Sequence, residues 1–85
     1  MSRDVQIKLN NNRDIVTFNK IIERFDTDFD LASGRSLVDA KSILGIFYLD
    51  TSRPVTLTIH DTDQMDEILE AISPFITDEV AGADR

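Results

Sequence analysis

Residues 55–60 read Val-Thr-Leu-Thr-Ile-His, in which apolar and polar side chains alternate with a period of two. This period is that of a β-strand with one buried face. Valine, threonine and isoleucine also favour strands, because branched side chains fit a pleated surface. The segment predicts a strand whose apolar side packs against a core while its threonines and His60 face solvent.

Three other segments alternate in the same way and predict three further strands. They are residues 5–9, 28–31 and 35–40. The tight turn Ala32-Ser33-Gly34 joins the second strand to the third, so these two are expected to form a hairpin.

Segments in which apolar residues recur at helical spacing lie between and after these strands. In residues 13–25 one apolar stripe repeats every three or four positions, with the intervening polar residues toward water. The stripe is Ile15, Phe18, Ile22 and Phe25, and the water-facing set is Asn19, Lys20, Glu23 and Arg24. Residues 42–48 predict a short helix capped by Ser42. A last helix is expected after a cap at Asp63, ending or bending near Ser73 because Pro74 lacks a backbone donor. Its stripe is Met65, Ile68, Leu69, Ile72 and Ile76.

The predicted order is βαββαβα, an α+β fold. Every strand has one apolar face and each long helix one apolar stripe, so a four-stranded antiparallel sheet with three helices on one face buries them most simply. A ferredoxin-like sandwich contains the same βαββαβ core and fits the periodicity equally well. We expect one domain over residues 1–85, with an ordered core over 4–76 and a polar tail, 77–85, that frays.

Composition narrows the possible functions. The 85 residues carry nine basic and sixteen acidic side chains, a formal net charge of −7. This balance argues against nucleic acid and anionic membranes as direct partners. The chain has no cysteine and one histidine, which excludes disulfides and thiol chemistry and disfavours imidazole metal sites and histidine triads. We expect no metal and no cofactor, no signal peptide or membrane span, and a cytoplasmic location.

The middle of the chain resembles the HPr family, the small phosphocarriers of the bacterial sugar phosphotransferase system. The resemblance spans about residues 5–76 and rests on residues 25–31, the turn at Gly34 and residues 38–46; its sharpest part is Lys-Ser-Ile-Leu-Gly at 41–45. It implies an open-faced β-sandwich of four antiparallel strands and three helices. It also implies that Ser42 occupies the position of the family's regulatory serine, which a dedicated kinase phosphorylates.

One departure from the family decides the chemistry. The family carries its phosphoryl group on a histidine at the start of the first helix, and an ungapped count from Phe25 places Asn11 at that position. The motif's arginine falls on Arg13 and its proline on Asp14. An asparagine amide is not nucleophilic enough to accept a phosphoryl group, so carrier activity at Asn11 is expected to be lost.

Each candidate residue also has a simpler interpretation. Ser42 can be only a helix cap, a role compatible with phosphorylation. Ile43, Leu44 and Phe47 can either fill one end of the core or form a docking patch, since a seven-residue helix cannot bury every side. Arg13 can be an ordinary surface arginine or part of a partner-binding surface.

Three hypotheses for function remain. The first is a regulatory binding protein that presents Arg13, Ile43, Leu44 and Phe47 to protein partners under the control of Ser42 phosphorylation. The resemblance suggests an HPr serine kinase, a sugar-responsive transcription factor or a metabolic enzyme as those partners. The second is a phosphocarrier with a non-standard acceptor, for which His60 is the only sensible residue. The third is an unphosphorylated scaffold with no enzymatic activity.

Overall fold

The computed structural model describes residues 2–79 and confirms the predicted α+β fold. The elements in chain order are β1 (Arg3–Ile7), α1 (Asn12–Glu23), β2 (Phe29–Ser33), β3 (Ser36–Asp39), α2 (Ile43–Tyr48), β4 (Val55–Ile59) and α3 (Met65–Ala71), followed by a 3₁₀ turn (Ser73–Phe75). None of the helices within residues 2–79 is long and apolar enough to cross a membrane.

The strands form one antiparallel sheet in the order β1-β4-β2-β3. A ferredoxin-like sandwich would place β1 and β3 at the centre, whereas here they are the two edge strands. The order therefore resolves the ambiguity that periodicity left open. Gly34 closes the β2–β3 hairpin with a φ of 58°, a backbone region that glycine adopts without steric cost.

One face of the sheet packs against the helices and the other stays open. The apolar side chains of β4 are buried, while Thr56 and Thr58 on the opposite face are partly exposed. Phe18 of α1 meets Phe75 edge to face, with ring centroids 5.7 Å apart. Such an aromatic pair adds about 1 kcal/mol to the burial of its area. The core thus lies between a single sheet face and the helices, as the strand alternation predicts.

Helix α1 confirms most of its predicted stripe but corrects the position of Asn19. Ile15, Phe18 and Ile22 are buried, and Phe25 lies just beyond the helix and packs partly against the core. Asn19 was expected to face water, yet it is buried. Its side-chain amide donates to two carbonyl oxygens of the segment between β3 and α2, which is why a polar side chain is accommodated there.

The end of the chain also differs from the sequence prediction in detail. Asp63 does not cap α3; the cap position is Gln64, whose N–H donates to the Thr62 hydroxyl. Helix α3 ends at Ala71 and the Pro74 segment continues as a 3₁₀ turn, confirming the predicted break. Ile76, which was predicted as part of the helical stripe, therefore lies outside α3 and forms a β-bridge with Ile7 of β1.

The predicted tail, residues 77–85, falls only in part within the described residues, which stop at Glu79. Its first residue, Thr77, donates its backbone N–H to the Gln6 carbonyl. The Glu79 carboxylate lies 3.2 Å from the Lys8 ammonium group.

Candidate functional site

The start of α1, where the resemblance places the family's phosphoryl acceptor, is a closed helix cap. Asn11 is the cap residue, and its side-chain oxygen accepts a hydrogen bond of 2.8 Å from the Asp14 backbone N–H. The Asp14 carboxylate accepts in return from the Asn10 N–H at 2.9 Å. This reciprocal arrangement is a variant of the capping box, and it satisfies donors that a helix start leaves unpaired. Arg13, one residue into the helix, is exposed.

The start of α2 is capped more simply. Ser42 is exposed, and its hydroxyl oxygen accepts from the Gly45 backbone N–H at 3.2 Å. The first turn of α2 contains no acidic residue. A negative group on the Ser42 oxygen would therefore meet no carboxylate from that turn, and it would lie at the helix end where the backbone dipole favours negative charge.

The segment that carries Ser42 is held by α1 and β2. The Asn19 amide nitrogen lies 3.1 Å from the Ala40 oxygen and 3.0 Å from the Lys41 oxygen. The Lys41 ammonium group donates to the Phe25 carbonyl at 2.7 Å and lies 5.8 Å from the centre of the Phe29 ring. These contacts fix the backbone immediately before Ser42, so the serine is presented from an anchored segment.

Gly45 lets α2 approach β3 closely. A Cβ built on Gly45 would lie 3.2 Å from the Val38 Cβ and 3.4 Å from the Ser42 hydroxyl oxygen. A larger residue would lie tightly against Val38, so that side chain or the helix would have to give by a few tenths of an ångström. The missing Cβ of Gly45 thus permits the close approach of α2 to β3.

Three side chains of α2 form an exposed apolar face. Leu44 is 79% exposed, Phe47 44% and Tyr48 77%. Positions i, i+3 and i+4 share one side of a helix, while Ile46 is buried and Ile43 packs partly on the core. Leu44 and Phe47 are the exposed residues that the sequence predicted for this face; Tyr48 was not predicted, although its helical spacing from Leu44 indicates the same side.

A row of basic side chains runs along α1. Arg13, Lys20 and Arg24 are exposed and follow the helical repeat of i, i+7 and i+11, with Thr17 between them. Val16, which is 38% exposed, lies one turn before both Asn19 and Lys20. Because Asn19 contacts the segment leading into α2, its neighbour Lys20 lies beside the α1 face that meets that segment.

His60 lies on a different part of the molecule. Its Nε2 is 2.7 Å from an Asp30 carboxylate oxygen, and both side chains are about two-fifths exposed. A cleft of about 330 Å³ is lined here by Asp28, Phe29, Asp30, Asp39 and His60. Within residues 2–79 no group of three histidine, aspartate or glutamate side chains is placed to hold a metal ion.

A single antiparallel sheet of order β1-β4-β2-β3, covered on one face by three helices, defines a small open-faced α+β sandwich. Two solved structures share it over most of their length. A phosphocarrier protein HPr from Bacillus anthracis superposes with a TM-score of 0.67 at 27% identity, covering 91% of this chain and 96% of its own. An HPr-C-His structure from Thermoanaerobacter tengcongensis gives a TM-score of 0.69 at 24% identity, covering 87% and 88%.

The chain is accordingly an HPr-like protein with the HPr fold. No protein-family model matches the sequence, and no curated protein matches it either.

Proposed function

We propose that this chain is an HPr-like regulatory protein related to the sugar phosphotransferase system, acting in the cytoplasm through protein contacts and not as an enzyme. It lacks histidine phosphocarrier activity, and phosphorylation of Ser42 controls its binding. The observation that carries the proposal is the contrast between two helix starts. The carrier position holds a hydrogen-bonded Asn11, whereas Ser42 is exposed beside a largely uncovered apolar face.

The state of Asn11 supports the loss of carrier activity. Its amide has no basic nitrogen to attack a phosphoryl group. Its oxygen already accepts from Asp14, whose carboxylate adds negative charge beside the position where a phosphoryl group would arrive. Both features disfavour transfer at this site.

The surroundings of Ser42 support its modification. The hydroxyl is exposed, and the contacts of Asn19 and Lys41 hold the preceding backbone in place. A phosphate adds close to two negative charges and three acceptor oxygens. Such a group beside Leu44 would change what the apolar face can bind without requiring a new fold.

The binding surface combines the apolar face of α2 with the basic row of α1. Leu44, Phe47 and Tyr48 supply apolar contact, while Arg13 and Lys20 supply positive charge on a chain whose formal charge is −7. Large apolar side chains near charged ones are typical of protein interfaces. Ile43 supports the surface from below by packing on the core. The partner that fits is a protein with an apolar pocket bordered by acidic residues.

Phosphorylation is tested with an HPr serine kinase and ATP, followed by intact mass measurement and peptide mapping. We expect one added phosphate on Ser42 and none on the Ser42→Ala variant. Ser52→Ala, which changes another exposed serine, is the matched control and is expected to gain one phosphate. No phosphate on the wild-type chain, with the kinase active on an HPr phosphocarrier, contradicts the proposed control.

Binding is tested separately with candidate partners, before and after phosphorylation. Leu44→Glu and Arg13→Glu are expected to weaken binding at least about tenfold, since interface anchors contribute roughly 2 kcal/mol or more. Both residues are exposed, so the unfolding temperature should stay unchanged. A partner that binds both variants as tightly as the wild type uses another surface, and a chain that binds none supports the scaffold hypothesis.

The second candidate is a phosphocarrier that uses His60. The Asp30 carboxylate oxygen accepts a hydrogen bond from the Nε2–H of His60, which orients the ring and leaves its other nitrogen available. Against this, Asp28 and Asp39 line the same cleft and would repel an incoming phosphoryl group. Transfer from the phosphorylated enzyme of the system to the wild-type chain, lost in His60→Ala, would favour this candidate. We expect no transfer to either.

A further inference from the structure

The two edges of the sheet differ in what covers them. Along β1, the segment after α3 adds a partial strand, in which Ile76 forms a β-bridge with Ile7. Beside this bridge, the Lys8 N–H donates to the Phe75 carbonyl and the Thr77 N–H donates to the Gln6 carbonyl. Within residues 2–79, no segment pairs with the outer side of β3. An uncovered edge strand is a template for pairing with another strand.

The register shows which groups of β3 point outward. Ala40 donates its N–H to the Phe29 oxygen, and Val38 is the partner of Leu31 in the same ladder. Backbone groups alternate in direction along an antiparallel strand, so the N–H and C=O groups of residues 36, 38 and 40 point toward β2. The N–H and C=O groups of Leu37 therefore point away from β2, at the open edge of the sheet.

Two side chains of opposite charge flank Leu37, each two residues away. Leu37 is 67% exposed on the open face of the sheet, opposite the small side chain of Ala32. Arg35 lies two residues before it and Asp39 two residues after it, and both are exposed. Neither forms an ion pair with any residue in the range 2–79.

Among the described residues, 2–79, no cationic side chain forms an ion pair with Asp39. Its cross-strand partner is Asp30, and like charges directly opposite each other destabilise a sheet. The Asp30 carboxylate already has a partner of its own, since one of its oxygens lies 2.7 Å from the Nε2 of His60. The Asp39 side chain accepts a hydrogen bond from the backbone N–H of Lys41, at 2.9 Å. A cation supplied from outside the chain is thus favourable here.

We propose that β3 is a self-association surface and that its partner is a second copy of this chain. Two copies pair antiparallel about a two-fold axis at Leu37, which places the two leucines opposite each other. Each Leu37 exchanges two backbone hydrogen bonds with its counterpart. Arg35 of each copy then faces Asp39 of the other, so the contact contains two ion pairs.

Other registers are less favourable. An axis at Val38 would place Leu37 opposite Asp39 of the second copy, and would leave both Arg35 side chains without an acidic partner. An axis between Leu37 and Val38 would place a residue whose backbone groups point outward opposite one whose backbone groups point inward. No hydrogen bonds would then form between the two strands. Charge and backbone direction together select the axis at Leu37.

The dimer is expected to be weak. A single short strand from each copy buries less than the ~1,200 Å² of a standard stable interface. We therefore expect a dissociation constant of about 1 mM or somewhat lower. Self-association should be measured at about 0.15 M salt, because a screening length of ~8 Å then limits the repulsion between two acidic molecules.

Sedimentation equilibrium at increasing protein concentration gives the first test. The wild-type mass should rise toward that of a dimer, and Leu37→Lys should stay monomeric because two ammonium groups would meet on the axis. Val16→Lys is the control, since it places the same charge at an exposed apolar residue of α1, away from β3, and it should associate like the wild type. A monomeric wild type at millimolar concentration, or association lost only in Val16→Lys, overturns the proposal.

Charge exchange gives the sharper test. Arg35→Asp and Asp39→Arg should each weaken self-association at least about tenfold, because like charges then face each other twice. An equimolar mixture of the two variants restores both ion pairs, so it should associate as the wild type does. Circular dichroism checks that each variant is folded. Folded variants whose mixture stays monomeric would falsify the proposed register.

Discussion

The starts of α1 and α2 perform the same structural task by different means. At α1, Asn11 and Asp14 cap the helix reciprocally with hydrogen bonds of 2.8 and 2.9 Å. At α2 a single hydroxyl, that of Ser42, accepts one N–H at 3.2 Å. The first start has its polar groups engaged with each other, whereas the second leaves an exposed hydroxyl beside exposed apolar side chains.

The comparison shows how a helix start can keep its structural role while its chemistry differs. At Asn11 the requirement is only a short polar side chain that can accept an N–H, which asparagine meets well. At Ser42 the same requirement is met by a group that can also be phosphorylated. Stability measurements alone do not separate these two cases, whereas stability and partner binding measured on the same variants do.

The largest expected effect comes from Asn19, which joins the two helices. Asn19→Ala removes the donor that Ala40 and Lys41 share and leaves two carbonyls without it. We expect the free energy of unfolding to fall by about 2–3 kcal/mol, the cost of losing buried hydrogen-bond partners. Denaturant unfolding measures this, with Lys20→Ala as the exposed control expected to stay within about 0.5 kcal/mol. An equal effect of both variants would mean that the Asn19 contacts contribute nothing.

Cap removal at α1 is expected to cost less. Asn11→Ala should lower the free energy of unfolding by about 1–2 kcal/mol, because the Asp14 N–H loses its acceptor. Asn11→Ser restores an acceptor and should recover most of the loss. Partner binding should be unchanged in both variants. Weaker binding of Asn11→Ala at a concentration where it is fully folded would show that α1's start is part of the binding surface.

Cap removal at α2 is expected to have the smallest effect on stability. Ser42→Ala should cost about 0.5–1 kcal/mol, since the hydrogen bond is exposed and the helix is short. It should nevertheless abolish the phosphate-dependent change in binding, which Asn11→Ala leaves intact. Thermal unfolding and a binding titration on the same samples check both halves. A Ser42→Ala variant whose binding still responds to kinase treatment contradicts the assignment.

The sequence predicted the elements well because periodicity is a local property. The alternation at residues 55–59 and the stripe of Ile15, Phe18 and Ile22 each follow from the repeat of one element. The resemblance at residues 41–45 also indicated the fold, and solved HPr structures support it. Ser42, Arg13 and the α2 side chains remain predictions as functional residues.

What the sequence missed depends on contacts between distant segments. Asn19 looked like a water-facing residue because helical spacing does not show that the backbone before Ser42 arrives above it. Asp63 looked like a cap because it is acidic and precedes a stripe, but the Thr62 hydroxyl takes the N–H of Gln64. Tyr48 was overlooked because its exposure depends on how far α2 turns before Leu49 enters the core.

The position of β4 has a consequence for synthesis on the ribosome. This strand lies between β1 and β2, so β1 has no neighbour in the sheet until residues 55–59 have been made. Gln6 and Thr56, which meet across it, are 50 residues apart in sequence. Before that point, the only one of the sheet's strand pairings that can form is the β2–β3 hairpin. Contacts between residues as distant as Gln6 and Thr56 also form slowly. Nascent chains shorter than about 60 residues will therefore carry an unpaired β1 whose Val5 and Ile7 are uncovered, a state that favours aggregation.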